Sequence, residues 1–184
     1  VVQMSFVIAI DVGIKNLGIC IFDFRCNKVV EWDNVSIANG RYIPANNVQY
    51  VRDFISKYSM YFTHSFQVLI ERQIRCNMRI IEAVIQTLYY DRCTIISARS
   101  VKMHYNLSTK NYRLNKQKAV QWAQAFVRQN NFVFEEGVVR TRFTDSKKQD
   151  DLADALLLLM YYLDTYSNQL TVDLPTLLDV VLQG

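Results

Sequence analysis

The order of its apolar runs limits the fold of this chain more than any other feature. Three β-rich runs come first, over Phe6 to Asp11, Gly18 to Phe24 and Lys28 to Ile37. Only the short segment from Val12 to Leu17 separates the first two runs, which predicts a β-hairpin. The third run mixes charged with apolar residues, as a more exposed strand does. The chain therefore begins with three strands.

Helices and strands then alternate along the chain. Apolar residues recur at steps of three and four in several segments, which is typical of one face of a helix, and short apolar runs between these segments predict buried strands. Asn115 is the expected N-cap of one of the helices. The predicted elements are, in order, a helix over 48–62, a strand over 66–70, a helix over 80–88, a strand over 93–98, and helices over 116–129 and 151–166.

Length and composition fit one globular domain. The chain has 184 residues, 51% of them hydrophobic, and its 5 Gly and 2 Pro leave little room for linkers. We expect a single domain over 1–184, with a core at about 6–166 and a C-terminal tail over 167–184. The longest apolar run, Ala155 to Leu163, is too short to cross a bilayer, so we expect a soluble, intracellular protein.

Charge and cysteine content narrow the classes of ligand and partner that the chain could bind. The net charge is +4, and the segment from Lys102 to Lys118 holds four lysines and one arginine without an acid. An anionic partner such as a phosphate backbone is favoured, although many proteins of this charge bind no nucleic acid. The four cysteines form no CxxC pair and have no His at ligand spacing, which speaks against a zinc site and against disulfides.

Four acids lie where a carboxylate is costly to ionise. Asp11 and Glu71 each end an apolar strand, and Asp151 and Asp154 open an apolar helix. A carboxylate beside a core needs a cation or strong hydrogen-bond donors. The three-residue step places Asp151 and Asp154 on one helix face, where they could share a divalent metal with the two strand acids.

Each acid also has a simpler explanation. The two helical acids suit the positive end of a helix dipole without any metal. Asp11 could be an ordinary turn acid, and Glu71 could pair with Arg72 or Arg75. The metal hypothesis gains its weight because all the acids stand within one order of strands and helices.

Four motifs carry a resemblance to a known family. They are IAIDVGIKN (Ile8 to Asn16), LIERQ (Leu69 to Gln73), NYRLNKQKAV (Asn111 to Val120) and KKQDDLADAL (Lys147 to Leu156). In this order they resemble the Holliday junction resolvases of the RuvC type, most closely those of poxviruses, whose nearest cellular relatives are fungal mitochondrial resolvases. Each motif is loose alone, but the four together are fairly specific, and they span roughly residues 6–162.

The resemblance implies a fold and an activity. The implied fold is an α/β, RNase H-like fold with a five-stranded mixed sheet, three antiparallel strands followed by two parallel ones, flanked by helices. The implied enzyme is an endonuclease that makes paired symmetric nicks in four-way and branched DNA during viral genome recombination and concatemer resolution. It would use two Mg²⁺ ions per active site, with Mn²⁺ able to substitute. It would act in the host cytoplasm if poxviral, or in mitochondria if it is a fungal-type relative.

The resemblance also implies roles for particular residues. Asp11 matches the first-strand aspartate, Glu71 the fourth-strand glutamate, and Asp151 and Asp154 the two acids of the last helix, all as metal ligands. A shift by one residue would exchange Asp151 with Asp150. The lysine near the scissile phosphate is best matched by Lys116, with Lys118 as the alternative. For contact with DNA we predict Lys15, Lys102, Lys110, Arg113 and Lys118.

A four-way junction has two-fold symmetry, so a homodimer with two related active sites is expected. The candidate interface is an apolar stripe that could equally well be intramolecular core. The stripe consists of Ile81, Val84, Ile85 and Leu88.

Other classes of protein stay open. DVGIKNLG (Asp11 to Gly18) also resembles the phosphate-binding hairpin of actin-like ATPases and sugar kinases, but that fold needs two such domains and this chain has one such hairpin. A non-catalytic nucleic-acid-binding module would bind junctions without cutting them. An RNase H or a transposase-like enzyme would use the same carboxylates on another substrate.

Overall fold

The sheet is built from the strands that the sequence pattern predicts. The structure, a computed structural model, describes residues 4–135 and 143–166, so the predicted tail over 167–184 lies outside the described residues. The strands are β1 (Phe6–Asp11), β2 (Leu17–Asp23), β3 (Lys28–Val35), β4 (Ser65–Glu71) and β5 (Cys93–Ile96). They lie in the order β3, β2, β1, β4, β5, antiparallel from β3 to β1 and parallel from β1 to β5. The predicted mixed sheet is confirmed.

Helices cover both faces of this sheet. Those in the described residues are α1 (Asn47–Lys57), α2 (Ser59–Thr63), α3 (Cys76–Leu88), α4 (Ala98–His104), α5 (Tyr112–Gln129) and α6 (Gln149–Tyr166), with short 3-10 turns at Pro44–Asn46 and Asn131–Val133. None of the described helices is long and apolar enough to span a membrane.

Several of the predicted element boundaries differ from those in the structure. The helix predicted over 48–62 is interrupted at Tyr58, whose φ of −111° and ψ of 26° are not helical. The strand predicted over 93–98 ends at Ile96, and α4 follows it. This helix has only 7 residues and buries only Val101, so no apolar stripe in the sequence reveals it.

The start of α5 also differs from the prediction. The helix begins at Tyr112, and its N-cap is Asn111, whose side chain accepts a hydrogen bond from the Leu114 N–H at 3.1 Å. Asn115, the predicted cap, instead binds the preceding loop, because its side chain accepts from the Thr109 N–H at 2.8 Å and donates to the Thr109 carbonyl at 3.0 Å.

The alternation of side chains along the strands divides the core into two layers. In β1, Val7 and Ala9 pack with residues of α5 and α6, whereas Ile8 and Ile10 pack with residues of α1 and α3. The middle strands are buried on both faces, as expected of a sheet covered by helices on each side. The first turn of α6 lies at the edge of the sheet where β1 and β4 end.

Candidate active site

Asp11 and Glu71 come together because their strands are parallel neighbours. β1 pairs with β4 in a register that runs up to the residues directly before these two acids. Ala9 and Leu69, two positions back on the same strands, pack in the layer that contains α6. Because side chains alternate with a period of two, both carboxylates face the α6 side of the sheet.

The acids of α6 approach the same edge because the helix begins directly on β2. Gly18 lies opposite Asp11 in the β1–β2 pairing. A Cβ at Gly18 would lie 2.3 Å from the Asp151 carbonyl oxygen, so only glycine lets the first turn of α6 come this close. Trp32 of β3 donates from Nε1 to the Leu152 carbonyl at 2.9 Å. Glycine and tryptophan together hold the helix start over the strand ends.

Burial and mutual repulsion oppose ionisation of the clustered carboxyl groups. Burial, and then the charge of Glu71, raise the pKa of Asp11 well above its ordinary value. Burial, and then the charge of Asp154, raise the pKa of Glu71 to about 7. Burial also raises the pKa of Asp151 to about 6 and raises that of Asp154. A cluster of this kind is stabilised by any cation that enters it.

Two lysines bring positive charge to these acids. Lys102 Nζ lies 3.2 Å from Asp154 Oδ1, and the two side chains are only 13% and 8% exposed. Lys116 Nζ donates a hydrogen bond to Asp150 Oδ2. Burial lowers the pKa of Lys116, but the bond to Asp150 outweighs it and the pKa is raised. Both lysines are therefore charged at neutral pH.

The environment of Lys102 differs from the one expected for the DNA contact that the sequence predicts. As a DNA contact it would lie on an exposed surface, whereas the structure places its ammonium among the carboxylates. The reason is α4, which the sequence pattern does not reveal and which packs against α6.

The carboxylate cluster fits a divalent metal by its chemistry. The four predicted ligands offer only hard oxygen donors, the type that Mg²⁺ and Mn²⁺ prefer. Asp154 Oδ1 is buried, and apart from the Lys102 ammonium at 3.2 Å no donor within the described residues reaches it. Within residues 4–135 and 143–166, however, no three His, Cys or acidic side chains are grouped as a ready-made metal cage. Metal binding would therefore require side-chain rotation.

Glu71 pairs with neither of the arginines that follow it in the sequence. The structure describes Glu71, Arg72 and Arg75, and it shows no ion pair between Glu71 and either arginine. The charges that act on Glu71 are those of the clustered acids and of Lys102 and Lys116. The turn-acid and arginine-pair explanations therefore do not account for this cluster.

A polar groove adjoins the Lys116 to Asp150 pair. It has a volume of about 540 Å³ and lies between α5 and the start of α6. Its lining includes basic and amide side chains, among them Arg113, Lys147 and Gln121. Of the predicted DNA contacts, Arg113 lines this groove, Lys15 and Lys110 are exposed elsewhere, and Lys118 is half-buried and is not part of the lining.

One buried acid near the site has no signal in the sequence. Glu82 of α3 is 8% exposed, and its Oε2 accepts from the Gln73 N–H at 2.5 Å. Gln73 in turn donates from Nε2 to the Glu71 carbonyl at 3.0 Å. Glu82 thus fixes the loop that directly follows Glu71. Its position in the middle of an amphipathic helix resembles that of a solvent-facing acid, so only the structure reveals it.

The structure resembles solved resolvases. The yeast mitochondrial Holliday junction resolvase Ydc2 has a TM-score of 0.65 at 18% identity, covering 91% of this chain and 87% of that one. The fowlpox virus Holliday junction resolvase has a TM-score of 0.60 at 18% identity, covering 87% of this chain and 98% of that one. Thermus thermophilus RuvC, solved with a Holliday junction substrate, has a TM-score of 0.56 at 12% identity, covering 89% of this chain and 97% of that one. These matches confirm the predicted RuvC-like, RNase H-like fold.

Sequence comparison identifies the family. A search of curated protein sequences gives no significant match. In contrast, residues 5–165 match the family described as Poxvirus A22 protein. Because this match covers most of the chain, the protein belongs to the Poxvirus A22 protein family.

Proposed function

We propose that this protein is a Holliday junction resolvase, a metal-dependent endonuclease that makes paired nicks in four-way and branched DNA. One observation carries the proposal: acids from β1, β4 and α6 lie in a single cluster, with two charged lysines against it. Membership of the Poxvirus A22 family supports it, and two of the similar structures are of proteins named as Holliday junction resolvases. A poxvirus family also favours the host cytoplasm as the place of action.

The metal ligands in this proposal are Asp11, Glu71, Asp151 and Asp154, holding two Mg²⁺ ions. When bound, the metal would supply Lewis-acid polarisation of the phosphodiester and a water nucleophile at neutral pH. The task of the carboxylates is to hold this charge at the strand ends, where β1 and β4 fix two of them and α6 fixes the others.

Lys116 is the residue we place at the phosphate. Its ammonium is bound to Asp150 at the mouth of the cluster, and its side chain is 30% exposed, so it can reach a ligand in the groove. A cation in this position stabilises the negative charge that grows on the phosphate in the transition state. Asp150 then acts as the residue that orients Lys116, rather than as a metal ligand.

The groove between α5 and α6 is the proposed DNA path next to the site. Arg113 and Lys147 can contact phosphates, and the amide of Gln121 can bind sugar or base edges. Lys15, on the turn after β1, and Lys110, before α5, are exposed and are further proposed DNA contacts. The phosphate contacts do not read sequence, in keeping with a substrate recognised by its shape.

We place the homodimer interface on the outer face of α3. Of the predicted stripe, Ile81 and Ile85 are fully buried in the core, which is the alternative role that the sequence leaves open for them. The other two members of the stripe, Val84 and Leu88, line an apolar groove of about 680 Å³ together with Ile74 of the loop before α3. Leu88 is 53% exposed and Ile74 is 92% exposed. An isologous contact through this face would pair two active sites, as a two-fold symmetric junction requires.

The test is cleavage of three labelled substrates by the purified protein, with and without Mg²⁺. We expect Mg²⁺-dependent, paired nicking of a four-way junction and little cutting of a plain duplex or an RNA/DNA hybrid. The Asp11→Asn variant is the control for a contaminating nuclease. Preferential cutting of the hybrid would indicate an RNase H, and junction binding without cutting under any metal would indicate a non-catalytic binding module.

A further inference from the structure

We propose that the Lys102 ammonium is an internal substitute for the metal: it neutralises the carboxylate cluster in the metal-free protein and leaves it when a divalent ion enters. The inference rests on the metal-binding part of the proposed function. It concerns a step before catalysis, namely how four clustered acids stay together without their metal.

The burial of the Lys102 to Asp154 pair sets it apart from the other lysine pairs. Both of its side chains are almost fully covered, with 13% and 8% exposure at a separation of 3.2 Å. Lys57 and Asp33, in comparison, are 53% and 24% exposed at 3.5 Å. A lysine is rarely buried this deeply unless it has a charge partner. Lys102 therefore lies in the cluster because the carboxylates hold it there.

The charges around Lys102 show that it serves more than one acid. Burial by itself lowers the pKa of Lys102, but the charges of Asp154 and Glu71, the hydrogen bond to Asp154 and the charge of Asp11 outweigh it and raise the pKa. One ammonium thus acts on acids from β1, β4 and α6. These are also the three elements that supply the proposed metal ligands.

The geometry lets the pair separate without unfolding α4. Lys102 Nζ, 3.2 Å away, supplies the charge contact of Asp154 Oδ1, and no further donor within the described residues reaches this oxygen. The Lys102 backbone is held independently, since its carbonyl accepts from the Leu107 N–H at 2.7 Å. The flexible lysine stem can therefore swing its ammonium out of the cluster while α4 stays in place.

Ammonium and divalent ion cannot share the cluster without cost. In this proposal each would act on the same Asp154 oxygen, and two cations within about 4 Å of each other repel strongly in a buried site. With Lys102 in place, the described acids are not grouped as a metal cage. Displacement of the ammonium would free the Asp154 oxygen for the metal.

The first experiment measures metal binding and stability in the absence of DNA. In Lys102→Met the long stem is kept and the charge is lost. We expect the Tm of the metal-free variant to fall by at least about 5 °C, because breaking a buried pair leaves unpaired acids. We expect its affinity for Mn²⁺, measured by calorimetry, to rise about tenfold. Mn²⁺ should restore much of the lost Tm.

Lys57→Met is the matched control. It also removes a lysine that pairs with an aspartate, but at an exposed position, so its Tm should change by no more than about 2 °C and its Mn²⁺ affinity should not change. Unchanged or weaker Mn²⁺ binding by Lys102→Met would overturn the inference. If the wild-type protein itself bound no Mn²⁺, the proposed metal-dependent function would fail instead.

A second measurement uses the wild-type chain, in case Lys102→Met does not fold. Amine-reactive acetylation followed by mass spectrometry reports how accessible each lysine is. We expect Lys102 to react slowly in the metal-free protein and several-fold faster in saturating Mg²⁺, with Lys57 as the internal reference. Equal or slower labelling of Lys102 with Mg²⁺ would show that the ammonium stays in the cluster and would overturn the inference.

Discussion

The carboxylate cluster has two halves that are built in different ways. The strand half, Asp11 and Glu71, is positioned by the backbone pairing of β1 with β4. The helix half, Asp151 and Asp154, is positioned by how closely α6 lies on β2, and that depends on side-chain contacts. Backbone pairing is shared over many hydrogen bonds, whereas a contact of side chains can be lost in one substitution. We therefore expect the helix half to be the more sensitive to changes outside the acids themselves.

We expect the largest effect when a metal ligand is removed from either half. Asp11→Asn, Glu71→Gln, Asp151→Asn and Asp154→Asn should each lower single-turnover cleavage on the order of a thousandfold or more, since each weakens metal binding by several kcal/mol. Junction affinity, measured by gel shift in Ca²⁺, should hardly change because the basic surface is intact. Near wild-type cleavage by the variants of one half would confine the metal site to the other half.

Asp150→Asn is the matched control within the helix half. Asp150 neighbours Asp151 but holds Lys116 rather than the cluster. Its variant should cut more slowly than wild type and much faster than Asp151→Asn. A dead Asp150→Asn beside an active Asp151→Asn would show that the helical motif is shifted by one residue.

The next effect concerns Lys116, which lies against the helix half. Lys116→Ala should lower the cleavage rate at saturating enzyme by on the order of a hundredfold, because it removes a cation that acts mainly on the transition state. Lys118→Ala is the control, since two helical positions turn it about 200° away. Small and equal losses of rate and affinity in both variants would show that this part of α5 only binds DNA.

A smaller effect tests how the helix half is docked. In Gly18→Ala the new methyl group would overlap the Asp151 carbonyl, so α6 must shift, at a cost of about 1–3 kcal/mol in the free energy of unfolding. Cleavage should fall together with stability. Gly40→Ala is the control: Gly40 has a φ of 86° but open space around it, so alanine should cost stability and leave cleavage unchanged. Unimpaired cleavage by Gly18→Ala would mean that the helix half tolerates displacement.

The two halves also differ in how far the sequence predicts them. Asp11 and Glu71 end apolar runs that directly predict strands, and the order of elements places these strands side by side. The contact that docks α6 joins Trp32 to Leu152, residues 120 positions apart, and no local pattern signals it. Trp32 also stacks on Phe143 at 4.7 Å, in a layer that only the folded chain assembles. Local patterns therefore predict the acids but not the contacts that align them.

Lys102 is a second example of an environment that local sequence patterns do not predict. Its charge and its place in a basic segment predict a surface contact with DNA, which is the usual role of such a residue. Its actual environment follows from α4, whose short length hides it from periodicity. Because the sequence pattern does not predict α4, it also does not predict the environment of Lys102.

The smallest expected effect probes the strand half through Glu82, a side chain that supports it from outside the sheet. Glu82 binds the Gln73 N–H at 2.5 Å, and Gln73 binds the Glu71 carbonyl at 3.0 Å. Loss of the carboxylate should loosen the loop after β4, but the register of β4 with β1 still holds Glu71. Glu82 is therefore a positioning residue with a modest influence.

Glu82→Gln keeps an acceptor oxygen and should lower the free energy of unfolding by about 1 kcal/mol, whereas Glu82→Ala leaves the Gln73 N–H without its partner and should cost about 1–3 kcal/mol. Glu82→Ala should slow saturated cleavage a few-fold without changing junction affinity, because only the orientation of Glu71 is affected, and Glu82→Gln should recover most of that rate. Stability is measured by denaturant unfolding, and rate by single-turnover cleavage. If Glu82→Ala slowed cleavage as strongly as Gly18→Ala, the strand half would depend on side-chain contacts as much as the helix half does, and the contrast between them would not hold.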